Sequence, residues 1–146
     1  MGPILSQTAE HALRALLYMA RTDGRRPVPV ETIAQAIGAP RNYLSKTLNA
    51  LTRHGLVAGT RGPGGGYTLR VSAAELPVMR IVEAFADEGP SPMCLLGGRP
   101  CNAADPCRAH GRWAAVQRQA VAPLRHTTLA DLLAGDDGPV ARAASV

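Results

Sequence analysis

Aromatic side chains are scarce in this sequence, at 3%: one Trp, one Phe and three Tyr. Hydrophobic content is nonetheless a globular 46%, so the core has to be built mainly from Leu, Ala, Val and Ile, which favours helices. At 146 residues the chain suffices for one ordinary core, or for a small domain with a helical arm. Long apolar runs are missing too. No uncharged stretch approaches the ~18 residues of a membrane span. Leu13 to Ala20 is apolar, but Glu10, His11 and Arg14 interrupt its approach and no cleavage signature follows. From these absences neither a spanning helix nor a signal peptide is expected, and a reducing cytoplasm is the expected compartment. No internal repeat is visible. Cysteine is limited to three residues, an odd number for a disulfide framework, which directs attention to metal or redox chemistry.

Acidic residues are thin in the first half. Residues 1–70 carry nine Arg/Lys against three acids, whereas 71–146 carry seven against eight; the net charge is +5. Such asymmetry points to a polyanion bound by one end of the molecule. The periodicities agree. Ile4 to Arg21 reads as a helix capped by Ser6 or Thr8, with Leu13, Leu16, Leu17 and Ala20 on its buried stripe. Thr22 to Pro29 is a turn and an extended connection, because Gly24, Pro27 and Pro29 exclude regular structure. Val30 to Ile37 forms a short helix stopped by Gly38. Arg41 to His54 forms another, with Leu44, Leu48 and Leu51 inward and Gly55 closing it. Two short helices around a Gly-containing turn make a helix-turn-helix, whose second helix is the usual reader of the major groove. Its outward face carries Arg41, Asn42, Ser45, Lys46, Asn49 and Arg53, with no acid among them. These are groups that contact phosphates and base edges.

Leu56 to Arg70 then reads as strand, glycine tip, strand, which behind a helix-turn-helix is a wing. Arg61 flanks the tip, and Gly64 and Gly65 allow close approach of backbone to phosphate. A nucleotide-phosphate loop is excluded, since it needs Lys-Ser/Thr and a helix where Tyr67-Thr68 begins a strand. Val71 to Glu88 restarts as a helix around Pro77 with Val78, Ile81, Val82 and Phe85 inward. Gly89 to Pro92 breaks it. Arg108 to Ala122 is helical again, carrying Trp113, Val116, Ala120 and Val121, and Pro123 must kink or end it. Thr127-Thr128 caps a last helix, Leu129 to Leu133, closed by Gly135, and the tail 136–146 has no buried stripe and is expected to be disordered.

Between those last helices lies the densest chemistry. Met93 to His110 holds Cys94, Cys101 and Cys107, spaced C-x6-C-x5-C, with His110 three places on. Thiolates suit iron–sulfur clusters, and three Cys with one His equally close a tetrahedral zinc site. A thiol switch pairing Cys94 with Cys101 is a third option. A Cys107–His110 nucleophile is a poor fourth, lacking an orienting acid or oxyanion loop. Gly97 and Gly98 free backbone N–H groups for sulfide, Leu95 and Leu96 are positioned to shield, and Arg99 and Arg108 to offset thiolate charge. His11, His54 and His126 read as surface or helix-end residues.

The order of helix, helix-turn-helix, Arg61-Gly-Pro-Gly-Gly-Gly-Tyr67 wing and three cysteines before a long helix resembles the Rrf-type (BadM-type) winged-helix transcriptional regulators. Leu13-Arg14-Ala15-Leu16 and Thr128-Leu129-Ala130-Asp131-Leu132 also look like that family, so the likeness spans about residues 4–134. It implies a mainly α fold with a small β-hairpin, a winged helix-turn-helix followed by a C-terminal dimerisation helix. The implied division is a DNA-binding domain over 1–72, a connecting helix over 73–92, a cluster loop over 93–110 and dimerisation helices over 108–135. The implied function is that of a homodimeric regulator, a repressor in the expected sense, binding a double-stranded operator. It would carry an iron–sulfur cluster that senses redox state, nitric oxide or iron and cluster supply. Cys94, Cys101 and Cys107 inherit the ligand role. For the fourth ligand two branches of the family offer different residues: His110 in the IscR-like branch with a [2Fe–2S] centre, Glu10 in the NsrR-like branch with a [4Fe–4S] centre. Both patterns are present here. Ser45 stands where the IscR-like branch reads bases with glutamate, so a different target sequence is expected, whereas Arg61 matches its wing arginine. The alternative without a cluster is a zinc-stabilised adaptor or a thiol-switch regulator.

Overall fold

Ser6 accepts the Ala9 N–H on its hydroxyl at 3.1 Å, which caps helix α1, Gln7–Arg21. The computed structural model describes residues 5–86, 94–96 and 98–135. Expectations placed on Ile4, the end of the 71–88 helix, the 89–92 break, Met93, Gly97 and the 136–146 tail lie outside the described residues. The deepest face of α1 is Ala9, Ala12, Ala15, Leu16 and Met19. Leu13, Leu17 and Ala20 are half-buried, so the core stripe is rotated from the expected one toward alanines. The small side chains let α2, Val30–Ile37, and α3, Arg41–Arg53, come close.

The two short helices form as the periodicity predicts. Ile33, Ala34 and Ile37 of α2 and Leu44, Leu48 and Leu51 of α3 are buried. Each such Leu or Ile contributes about 1.5–3 kcal/mol relative to exposure. Gly38 ends α2 in the left-handed region at φ 66°. At the end of α3, Leu56 N–H donates to Leu51 O at 3.0 Å and Gly55 N–H to Thr52 O at 3.0 Å. That paired pattern is a Schellman closure, and it turns the chain directly into the wing.

Strands β1, Val57–Thr60, and β2, Gly66–Leu69, pair antiparallel in the register Val57 to Leu69 and Thr60 to Gly66. The connection between α1 and α2 contributes more than a loop: Val28 bridges Tyr67 through N–H···O bonds of 3.0 and 2.9 Å. The wing is thereby tied to the body along its second strand. Gly66 is obligatory there. At φ 152°, a Cβ on it would sit 2.3 Å from the Val28 carbonyl oxygen.

The predicted helix over 71–88 is corrected. Helix α4 spans only Val78–Glu83, N-capped by Pro77. Proline disfavours helical geometry in the residue before it, so the chain from 71 to 77 stays non-helical and pairs elsewhere. Pro77 bridges Thr128, Val78 N–H donates to Thr127 O at 2.8 Å, and Leu129 N–H donates to Leu76 O at 3.0 Å. Val78, Ile81 and Phe85 are buried as expected, while Val82 is half-exposed. Helix α5 spans His110–Val121 and none of its residues is buried. Pro123 ends it, as expected, and a 3-10 turn over Ala122–Arg125 follows. Helix α6, Leu129–Ala134, starts on a capping box in which Thr128 and Asp131 satisfy each other's backbone N–H groups. None of the described helices is long and apolar enough to cross a membrane.

Candidate functional site

Two regions carry the polar chemistry: the α3–wing face and the loop leading into α5. On α3, Arg41, Asn42, Lys46, Asn49 and Arg53 are exposed and Ser45 is half-buried, so the outward face is as the sequence predicts. Partners differ from expectation at two positions. Arg41 forms an ion pair with Glu31 of α2. Asn49 accepts the Tyr67 hydroxyl on Oδ1 at 2.8 Å, which joins the helix to the wing. Neither link has a local sequence signal, since the partners are ten and eighteen residues apart.

A groove of about 430 Å³ separates α3 from the wing and is lined by Glu31, Asn49, Thr52, Arg61, Gly65 and Tyr67 among others. On its other side α3 borders a second groove of about 400 Å³, with Thr8, Tyr43, Lys46 and Arg53 on its walls. Thr8 and Tyr43 are joined through their hydroxyls, and the Tyr43 ring meets His11 edge-on at 5.4 Å. His11, expected to be a plain surface residue, thus has its Nδ1 buried against Tyr43 and unpartnered. Arg61 and Gly64 at the wing tip are exposed, and a Cβ at Gly64 would meet open space. Gly65 is different. Its N–H closes the tip on Gly62 O at 2.9 Å, and a Cβ would lie 2.3 Å from Thr60 O. Gly65 is therefore needed to make the turn, whereas Gly64 leaves the tip open to a phosphate.

The cysteines gather in two pairs. Cys94 Sγ lies 3.2 Å from Cys107 Sγ, and Cys101 Sγ lies 3.1 Å from His110 Nδ1. His110 is the first residue of α5, and its N–H donates to Cys107 O at 3.0 Å, so one residue of each pair meets the other through the backbone at the helix start. Cys94 is buried and its N–H donates to Arg99 O at 3.1 Å, a short loop closure that seats it behind the turn. The Cys107 thiol is held below its ordinary pKa. A hydrogen bond from Cys94 is the main cause, backbone N–H groups of Ala109 and His110 and the Arg99 charge assist, and desolvation opposes. Arg99 is itself anchored by Asp105, through an ion pair and a 3.1 Å bond to the Asp105 carbonyl. Arg108 is exposed.

Among the described residues no group of three or more His, Cys, Asp or Glu stands at metal-holding spacing. Two expectations change. Leu95 and Leu96 are 55% and 68% exposed and do not shield the thiols within one chain. Cys94 faces Cys107, not Cys101. Glu10, the other candidate ligand, is exposed in the first turn of α1, 3.8 Å from Arg14.

Residues 5–135 match the family described as Rrf2, Iron-dependent Transcriptional regulator. The transcriptional regulator IscR of Serratia proteamaculans is 32% identical over 133 residues, 91% of this chain and 80% of that protein. IscR of Yersinia enterocolitica is 31% identical over 133 residues, with the same coverage. Among solved structures, T. potens IscR superposes with a TM-score of 0.71 at 26% identity, covering 94% of this chain and 90% of the other. Staphylococcus aureus CymR superposes at 0.71 and 25% identity, covering 91% and 100%. Wing, reading helix and sequence match lead to one conclusion: the chain is a DNA-binding transcriptional regulator of the Rrf2 family, and not an enzyme.

Proposed function

We propose that this regulator is a cytoplasmic homodimer that binds a two-fold DNA operator and is controlled by a [2Fe–2S] cluster held by Cys94, Cys101, Cys107 and His110. The observation that carries the proposal is the division of these residues into a Cys94–Cys107 pair and a Cys101–His110 pair at the start of α5. A two-iron cluster takes two protein ligands on each iron, and thiolate and imidazole are ligands it accepts. Two pairs therefore fit that group in number and chemistry, and the lowered Cys107 pKa eases loss of the thiol proton when a metal binds. His110 contacts Cys101 whereas Glu10 is engaged by Arg14, which favours His110 as the fourth ligand. When bound, the cluster supplies a centre whose redox state and ligation respond to oxidants, nitric oxide and iron supply.

The rest follows from the chain's own residues. His110 begins α5, so any change in what His110 holds bears on the direction of that helix. No residue of helix α5 is fully buried within one chain, and Val116 is 51% exposed, a face suited to the same helix of a second copy. Dimerisation through α5 would fix the spacing of two α3 helices on successive major grooves. Arg41, Asn42, Ser45, Lys46 and Arg53 then face DNA from α3, with Arg61 and Gly64 reaching the backbone or minor groove from the wing.

Anaerobically purified protein is expected to be coloured, with iron and acid-labile sulfide in equal amounts. Visible absorbance should be lost in Cys101→Ala and weakened or shifted in His110→Ala, but kept in Glu10→Ala. A colourless protein with one zinc per chain rejects the proposal. One observation favours a second reading, a thiol switch without a cluster: the 3.2 Å approach of Cys94 to Cys107. That reading predicts metal-free protein whose operator affinity changes on oxidation and is insensitive to iron.

A further inference from the structure

Residues 1–70 hold three acids, Glu10, Asp23 and Glu31, and Glu31 lines the groove between the reading helix and the wing. It sits in the first turn of α2, where the helix dipole favours a carboxylate. It does not face solvent alone. Across the α2–α3 turn it pairs with Arg41, the first residue of α3. Both partners are more than half exposed, at 56% and 59%, so the pair is screened and adds little to stability. Its position is the unusual feature: a negative charge stands on the side of the molecule that carries Asn49, Arg61 and the wing tip.

We propose that Glu31 is a brake on sequence-independent DNA binding. Affinity for any duplex grows with the number of phosphates that Lys and Arg neutralise. Arg41 is one such cation, and Glu31 already occupies its guanidinium. A phosphate reaching Arg41 has to replace a carboxylate and then lie beside it, so this contact returns less than one from a free arginine. Base-edge contacts elsewhere on α3 are not taxed in the same way. The effect is to weaken the grip on DNA in general and leave sequence reading to decide where the protein stays. This inference rests on the DNA-binding reading of the α3–wing face.

The test uses the full-length protein and a labelled duplex of mixed random sequence, roughly 30 base pairs long, with binding followed by fluorescence anisotropy across about 50 to 200 mM salt. Glu31→Gln is expected to bind it about 3–10-fold tighter at low salt. The slope of log affinity against log salt should steepen by about 0.9, one more phosphate neutralised. In an Arg41→Ala background the gain should shrink to less than half. If wild type binds the duplex and Glu31→Gln matches it in affinity and slope, the brake is overturned while the DNA reading stands. An undiminished gain in the Arg41→Ala background also overturns it, since Glu31 would then act without Arg41. If neither protein binds the duplex, the DNA reading itself fails and the brake with it.

Discussion

The Tyr67 hydroxyl, on the second strand of the wing, donates to Asn49 Oδ1 on the reading helix at 2.8 Å. The same Tyr67 is bridged through its backbone to Val28 ahead of α2. One residue thus holds the wing to both sides of the helix-turn-helix, and it fixes the orientation of the Asn49 side chain.

Tyr67→Phe removes this link and little else. The bond is exposed, so a urea melt should show a loss within about 0.5–1.5 kcal/mol. Operator affinity should fall about 2–10-fold, because the angle between wing and α3 is no longer set, and its salt dependence should be unchanged, because no charge is altered. A steeper or shallower salt slope would show that Tyr67 contributes to phosphate contacts directly.

Gly66→Ala should be far more damaging than Gly64→Ala in the same wing. The added Cβ would lie 2.3 Å from Val28 O and 2.4 Å from its carbonyl carbon, both backbone atoms with no side chain to rotate away. Either the wing detaches from Val28 or the strand distorts. We expect a loss of roughly 2 kcal/mol or more in chemical denaturation. Gly64→Ala, where a Cβ meets open space, should cost less, because only its φ of 73° resists the change.

Local signals carried most of the fold. The α2–α3 unit, the Gly38 and Gly55 stops, the hairpin and the Thr128 cap each depend on residues within a few positions of one another, and each stands where periodicity and turn chemistry put it. The stretch 71–77 is not the helix its local pattern predicts because its partners, Thr128 to Ala130, lie more than fifty residues on; backbone pairing with them wins over local propensity. The apolar stripe of α1 was misplaced for a related reason: Ala9, Ala12 and Ala15 look neutral in sequence but give the closest helix approach. In the candidate site the cysteines and His110 were legible as soft donors. Their pairing was not, since spacing alone cannot tell Cys94–Cys107 from Cys94–Cys101.

Asp131 makes the docking of α6 pH-sensitive. The Thr128 backbone N–H and then its hydroxyl hold the Asp131 carboxyl below the ordinary carboxylate value. A depressed folded-state pKa stabilises above the unfolded value, near about 4, and that stability is lost as pH falls through the lower folded value. Asp131→Asn should therefore flatten the acid limb of the thermal stability curve below about pH 4, with less effect near neutrality on that slope. Thr128→Ala should cost about 1 kcal/mol at neutral pH, the usual cost of losing an N-cap. A Thr128→Ala protein with an unaltered melting temperature would mean that α6 is held by Leu129 alone.

The Cys107 thiol of the metal-free protein should ionise at lower pH than an ordinary thiol. It is lowered first by the Cys94 hydrogen bond, then by the Ala109 and His110 N–H groups at the start of α5, and by Arg99. Because the thiolate is the nucleophile, Cys107 should still be alkylated by iodoacetamide at a pH where an ordinary thiol is protonated. Its rate profile should move toward higher pH in Cys94→Ala, which deletes the main cause, and by less in Arg99→Ala. Peptide mapping of alkylated Cys94, Cys101 and Cys107 across pH measures all three in one experiment. If Cys107 titrates no lower than an ordinary thiol, the hydrogen bonding at the start of α5 does not hold its pKa down.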